Sequence, residues 1–120
     1  MVHCTQEDEM THRSTIRQMG AIPGRIRSAV REIEPTAEVI LYGSRARGDA
    51  TPDSDWDILV LVDGPVDTRR EEAIVRRLFD LELEIDTVLS VVVHSKEEWA
   101  SRLFQAMPFH ENVTREGITL

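Results

Sequence analysis

The sequence predicts a small α/β (α+β) domain, a mixed β-sheet of three or more strands flanked by helices. Three observations carry that prediction. Glu38–Tyr42, Trp56–Val62 and Thr87–His94 are short, nearly continuous apolar runs, the pattern of strands covered on much of both faces. The segments around them place apolar residues at helical spacing. The chain has 120 residues, of which 41% are hydrophobic and 30% charged, enough for one core and not two. The resulting order, helix, strand, loop, strand, helix, strand, helix, fits a single sheet.

Residues 1–22 read as an N-terminal extension. Met10, Ile16 and Met19 give only weak periodicity, and Gly20 and Pro23 interrupt it. The domain proper is 23–120. Pro23 suits the first turn of a helix, whose apolar face is Ile26, Val30 and Ile33, with Arg25, Arg27, Arg31 and Glu32 outside. That helix stops before Pro35, because a residue preceding proline avoids the α region. Glu38–Tyr42 is the first strand. Gly43 to Asp55 is rich in Gly, Ser, Asp and Pro and reads as loop, with Asp49 and Asp53 as turn residues around Pro52.

Trp56–Val62 is the strongest strand signal, and Asp63-Gly64-Pro65 ends it. Asp67 or Thr68 caps the next helix. Its apolar face is Ala73, Ile74, Leu78 and Leu81, widened by Val75 and Phe79. The pairs Arg69/Arg70 and Arg76/Arg77 read as solvated helix surface. Thr87–His94 is the third strand, with His94 as a surface or cap residue at its end. Ser95-Lys96-Glu97-Glu98 has the form of a capping box and opens a helix carrying Trp99 and Leu103. Pro108 breaks that helix, and Phe109–Glu116 forms a short helical turn closed by Gly117. Trp99, Phe104, Phe109 and Ile118 read as sheet cover, with an interface as the alternative.

The charge balance limits the partners. With 14 Lys+Arg against 22 Asp+Glu the formal net charge is −8. Gripping long nucleic acid requires basic residues in excess, and an anionic membrane repels such a surface. A single cysteine, Cys4, excludes an internal disulfide and a multi-cysteine zinc site. No apolar run approaches the ~20 residues of a membrane span, and the first residues lack a signal-peptide core. The expected compartment is the cytoplasm.

The segment that carries chemistry is Leu41 to Asp57. A strand runs into Gly43-Ser44. Glycine there lets backbone approach a ligand closely, and Ser44 adds a hydroxyl. If a helical turn starts at Ser44, its free N–H groups form a seat for phosphate. Arg45 and Arg47 either add charge-assisted contacts to that phosphate or pair with Asp49 or Asp53. Asp55 and Asp57, one residue apart at a strand start, point to the same face with Cα atoms about 6–7 Å apart. Such a pair can share hard divalent cations such as Mg2+. Asp57 heads an otherwise apolar strand, where a carboxylate is costly unless paired, hydrogen-bonded or metal-bound.

Gly43-Ser44-Arg45-Ala46-Arg47-Gly48 followed by Ser54-Asp55-Trp56-Asp57-Ile58 resembles the signature of the polymerase-β-type nucleotidyltransferase superfamily. It is most similar to the small stand-alone branch, the minimal nucleotidyltransferases, many of which resemble antitoxins. Asn112–Gly117 is also similar to the tail of these small proteins. The resemblance covers Pro23 to Leu120. It implies transfer of a nucleoside monophosphate, AMP from ATP, from an NTP to a protein or small-molecule hydroxyl. Gly43 and Ser44 would hold the triphosphate, and Asp55 and Asp57 two Mg2+ ions. It also implies a helical partner of the HEPN type, often an RNase, neutralised by binding or by attachment of AMP.

The chain departs from the family at the usual third carboxylate of the next strand. Ser90 takes the corresponding place in Val88-Leu89-Ser90-Val91-Val92. Asp86 serves as that acid only if the strand starts early; otherwise it is a turn residue. The alternative to an enzyme is therefore a nucleotide-binding module acting through protein–protein contact. An antibiotic-modifying enzyme, which shares the motif, would need a surface borrowed from a partner or from a second copy in a homo-oligomer.

Overall fold

A computed structural model describes residues 19–120. Of the extension expected over 1–22, residues 1–18, with Cys4, Met10 and Ile16, lie outside the described residues. Met19 and Ile22 pack on the main core.

The first helix, α1, spans Ile22–Ile33, with Pro23 in its first turn and Ile26, Ala29 and Val30 buried. It is followed by β1 (Glu38–Tyr42), α2 (Ser44–Arg47), β2 (Trp56–Val62) and α3 (Thr68–Ile85). Then come β3 (Leu89–Ser95), α4 (Lys96–Trp99), α5 (Arg102–Gln105), α6 (Pro108–Glu116) and β4 (Ile118–Thr119). The sheet order is β3-β2-β1-β4. β1 runs antiparallel to β2 and to β4, and β2 runs parallel to β3.

Side-chain alternation divides the sheet into two faces. Trp56, Ile58, Val60 and Val62 of β2 join Val39, Leu41, Leu89 and Val93 under α1 and α3, where Ile26, Val30, Ile74, Leu78 and Leu81 close the larger core. Leu59 and Leu61 face the other way, with Ile40, Tyr42 and Val92, under Trp99, Phe109 and Val113. Trp99, Phe104 and Phe109 pack there edge-on or tilted, and Ile118 is buried. The aromatic residues are thus sheet cover. Continuous apolar runs are what a sheet covered on both faces requires.

Some second arginines of the expected solvated pairs do more than solvate. Arg70 donates two bonds to Glu34, at 2.8 and 2.6 Å, and Arg77 donates to Glu32 at 2.6 Å. Both tie α3 to α1 or to the residue ending it.

Several boundaries differ from expectation. β3 starts at Leu89 and not at Thr87, because Asp86 ends α3 in a left-handed conformation, φ 51°. The Leu89 N–H then donates to Glu82 at 2.7 Å. The helix opened by Ser95 stops after one turn, since Ser101 caps a second one, α5, by accepting from Phe104 N–H. Pro108 starts α6 as well as interrupting what precedes it. Ile33, Val75 and Phe79, expected on apolar faces, are exposed. β4 was not expected from the sequence; two residues are too short for a periodic signal.

Candidate functional site

The site grows from the register of β1 and β2. Tyr42 pairs with Asp57, so β1 leaves the sheet at Gly43 beside the point where β2 enters it. Gly43 has φ 76° and ψ −159°, a region essentially restricted to glycine. A Cβ built there would stand 2.1 Å from Asp57 Oδ2. Glycine is therefore required twice, by the backbone and by the carboxylate lying over it.

The next residue begins α2. The N–H groups of Ala46 and Arg47 both donate to the Gly43 carbonyl at 3.0 Å. The Ser44 and Arg45 N–H groups precede that ladder, as first-turn amides do. The conditional helical turn at Ser44 is thus present, and it places the Ser44 hydroxyl near the turn that abuts Asp57.

Asp55 is exposed just outside β2, and Asp57 is half-buried within it. Trp56, between them, turns to the opposite face and is buried in the larger core. That side chain anchors the strand start and leaves the flanking carboxylates on the other side. Burial raises the Asp57 carboxyl above the ordinary range. Asp55 raises it further, Arg47 opposes and Glu116 adds to the rise. The neighbouring Tyr42 hydroxyl is also raised, first by burial and then by the Asp57 charge. The site therefore concentrates negative charge that a cation would relieve.

The two arginines have different local tasks. Arg45 donates to the Ser54 carbonyl at 3.0 Å and the Pro52 carbonyl at 3.3 Å, and its guanidinium lies 4.9 Å from the Trp56 ring centre. It staples the loop that leads into Asp55, helped by the Thr51 N–H to Ser54 Oγ bond of 2.9 Å. Arg47 pairs with Asp49 and with Glu116, each at 3.2 Å. Of the two expected pairings, Arg47 thus makes the one with Asp49, and neither arginine is held by Asp53.

Ser90 stands directly beside Asp57 in the parallel β2–β3 register. It shares that face, since Leu89 and Val93 belong to the core on the other side. The strand position facing Asp57 thus carries a hydroxyl. Asp86 sits at the end of α3, before β3 begins, and lines a cavity of about 470 Å³ with Arg45, Trp56, Ile85 and Thr87. Among the described residues it forms no three-carboxylate cluster with Asp55 and Asp57. His94 packs on Trp99 and Phe104.

Sequence reasoning missed Glu116. It ends α6, accepts from the Gly43 N–H at 3.0 Å and pairs with Arg47. In the sequence Gly117 reads as a helix terminator; the acid just before it, in a segment resembling the family's tail, is the available signal.

Among the described residues, no three His, Cys, Asp or Glu side chains form an all-protein metal cage. The donor set fits Mg2+ nonetheless. That ion is commonly held by one or two carboxylates, with substrate phosphates and water completing its shell. Asp55 and Asp57 are such a pair, beside a turn with first-turn amides.

Comparison with known proteins identifies the family. The sequence profile of the nucleotidyltransferase domain matches residues 24–113. "Putative protein adenylyltransferase MJ0604" of Methanocaldococcus jannaschii is 36% identical over 83 residues, which are 69% of this chain and 76% of that one. "Putative protein adenylyltransferase MJ0141" of the same organism is 34% identical over 58 residues, 48% of this chain and 59% of that one. Among solved structures, a toxin-antitoxin with AMP-PNP superposes with a TM-score of 0.55 at 22% identity, covering 80% of this chain and 69% of its own. A variant of the toxin-antitoxin MntA-HpeT gives 0.56 at 23%, covering 82% and 70%. At such identities the structural likeness speaks to the fold. No described helix is long and apolar enough to cross a membrane. A profile matched over most of the chain, on a strand–Gly-Ser–loop–Asp-x-Asp–strand site, makes this protein a member of the nucleotidyltransferase domain family.

Proposed function

We propose that the chain transfers a nucleoside monophosphate, AMP by preference, from Mg2+-bound NTP to a hydroxyl on a protein or small molecule. The observation that carries this reading is the contact of Asp57 with Gly43, which joins a carboxylate pair to a phosphate-seating turn. In the reaction the acceptor oxygen bonds to the α-phosphorus and the bond to the β-phosphate oxygen breaks. Pyrophosphate leaves, and the hydroxyl proton is released to solvent.

Gly43 and Ser44 would bind the triphosphate, and Asp55 and Asp57 would hold two Mg2+ ions. Bound there, the ions would stabilise charge on the attacking and leaving oxygens. Arg45 keeps the loop before Asp55 in place, and Arg47 supplies a cation at the edge of the site. Asp86 has no part in this reading, because it lines a cavity with Trp56, whose side chain turns to the face opposite Asp57. The solved toxin-antitoxin structures of the same fold are consistent with a protein partner, and the family resemblance of the motif points to one of the HEPN type as the acceptor. The relatives named as protein adenylyltransferases support AMP as the group transferred.

A second reading has its own observation. Ser90 faces Asp57 where the family resemblance leads one to expect a third acid. On that reading the chain binds NTP and acts by protein contact.

One assay separates the two. The protein is incubated with Mg2+ and α-labelled ATP, alone and with the product of the neighbouring gene. Label on the partner that disappears in Asp57→Asn supports transfer. NTP binding without label on any acceptor supports the binding module.

A further inference from the structure

We propose that Glu116 is a positioning residue for the triphosphate seat, fixing the Gly43–Ser44 turn and the direction of Arg47 from the end of α6. The inference rests on the nucleotide-binding reading above.

Glu116 reaches Gly43 through the sheet. β4 pairs with β1 so that Leu41 faces Ile118 and Ile40 faces Thr119. Continuing that antiparallel register by two residues sets Gly43 opposite Glu116, because each pair of numbers has the same sum. At that point β4 has given way to α6, so no strand carbonyl continues the ladder. The Glu116 carboxylate takes its place and accepts from the Gly43 N–H at 3.0 Å.

The approach is close because Gly117 permits it. A Cβ at Gly117 would lie 2.4 Å from the Val113 carbonyl and 2.8 Å from Ile40 Cγ2. The Gly117 N–H also donates to Val113 at 2.7 Å. Helix end and strand start are thereby pressed onto β1, and the Glu116 side chain is only 13% exposed.

One carboxylate then controls two groups of the seat. The Gly43 peptide sits in a glycine-only conformation beside Asp57, and a charge-assisted bond to its N–H opposes its relaxation. Arg47 is 47% exposed, so solvent alone would leave its guanidinium mobile; the Glu116 carboxylate 3.2 Å away, with Asp49 on its other side, limits it. Gly43 and Arg47 are thus both held by one side chain that lies 73 positions beyond Gly43 in the sequence.

The test uses the full chain and three variants. Glu116→Gln keeps an oxygen for the Gly43 N–H and loses the ion pair. Glu116→Asp keeps the charge and withdraws it by one methylene. Glu116→Ala removes both. Mg2+-ATP binding is measured by calorimetry, and the Gly43 amide is followed by hydrogen exchange without nucleotide.

Glu116→Ala and Glu116→Asp are expected to raise Kd about tenfold, the size of one lost hydrogen bond to a charged group, with Glu116→Gln within about threefold of wild type. The Gly43 amide should exchange faster in the first two and not in the third. Unchanged binding in Glu116→Asp and Glu116→Ala overturns the inference, as does tighter binding, which would mean that the carboxylate competes with phosphate. Should Glu116→Ala fail to fold, Glu116→Asp and Glu116→Gln still decide by their order. If the wild type itself binds no Mg2+-ATP, the nucleotide reading falls and the positioning role with it; wild-type binding without variant effects sinks the positioning role alone.

Discussion

Gly43 and Asp57 share a space that admits one side chain. The first expected outcome follows from that overlap. Gly43→Ala must leave a positive-φ conformation and displace Asp57, at a cost of about 2 kcal/mol or more. Chemical denaturation should show that loss, and nucleotide binding should fail with it. Asp57 itself costs the fold something. Its carboxyl is raised by burial first and by Asp55 second. A carboxyl whose folded pKa lies above its unfolded value makes the protein less stable as pH rises through that interval. Asp57→Asn should therefore be more stable than wild type at neutral pH without divalent cation. The difference should shrink as pH falls below the ordinary aspartate range, as urea melts at a series of pH values would show. Equal melts at every pH would mean that the Asp57 charge is not strained. The pair Gly43-Ser44 and Asp55-Asp57 was legible because motif spacing survives without knowledge of packing. Glu116 was not, since its contact depends on a register between a segment and a strand 73 residues away.

Elements with long apolar periods were predictable, and their ends were not. α1, β1, β2 and α3 fall where hydrophobic spacing and proline placed them. β3 lost its first two expected residues to the left-handed turn at Asp86, a conformation that the Ile85-Asp86-Thr87 sequence does not announce. The helix expected after Ser95 divides because Ser101 offers a second cap at low cost in a short, partly exposed segment. β4 could not be read from two residues; what forms it is the close approach at Gly117. Gly117→Ala keeps an ordinary φ, −68°, so any effect reports space and not backbone preference. It is expected to destabilise by about 1–3 kcal/mol through overpacking, with the Leu120 N–H, now bonded to the Val39 carbonyl at 2.8 Å, losing protection from hydrogen exchange. A stable variant with that amide still protected would show that Ile40 and Val113 yield easily.

At the scale of the molecule, the formal charge of −8 looks adverse to a triphosphate. On the proposed reading the conflict is met locally: Asp55 and Asp57 are part of the excess, and a divalent cation held between them and the phosphates would turn repulsion into attraction. Both functional readings share one premise, that Gly43-Ser44 and Asp55-Asp57 together form a seat for Mg2+-NTP. Calorimetric titration of ATP into the protein, with and without Mg2+, tests it most directly when repeated on Asp57→Asn. The account predicts saturable 1:1 binding that requires Mg2+ and is lost in the variant. Binding that is indifferent to Mg2+, or that survives intact in Asp57→Asn, would contradict it.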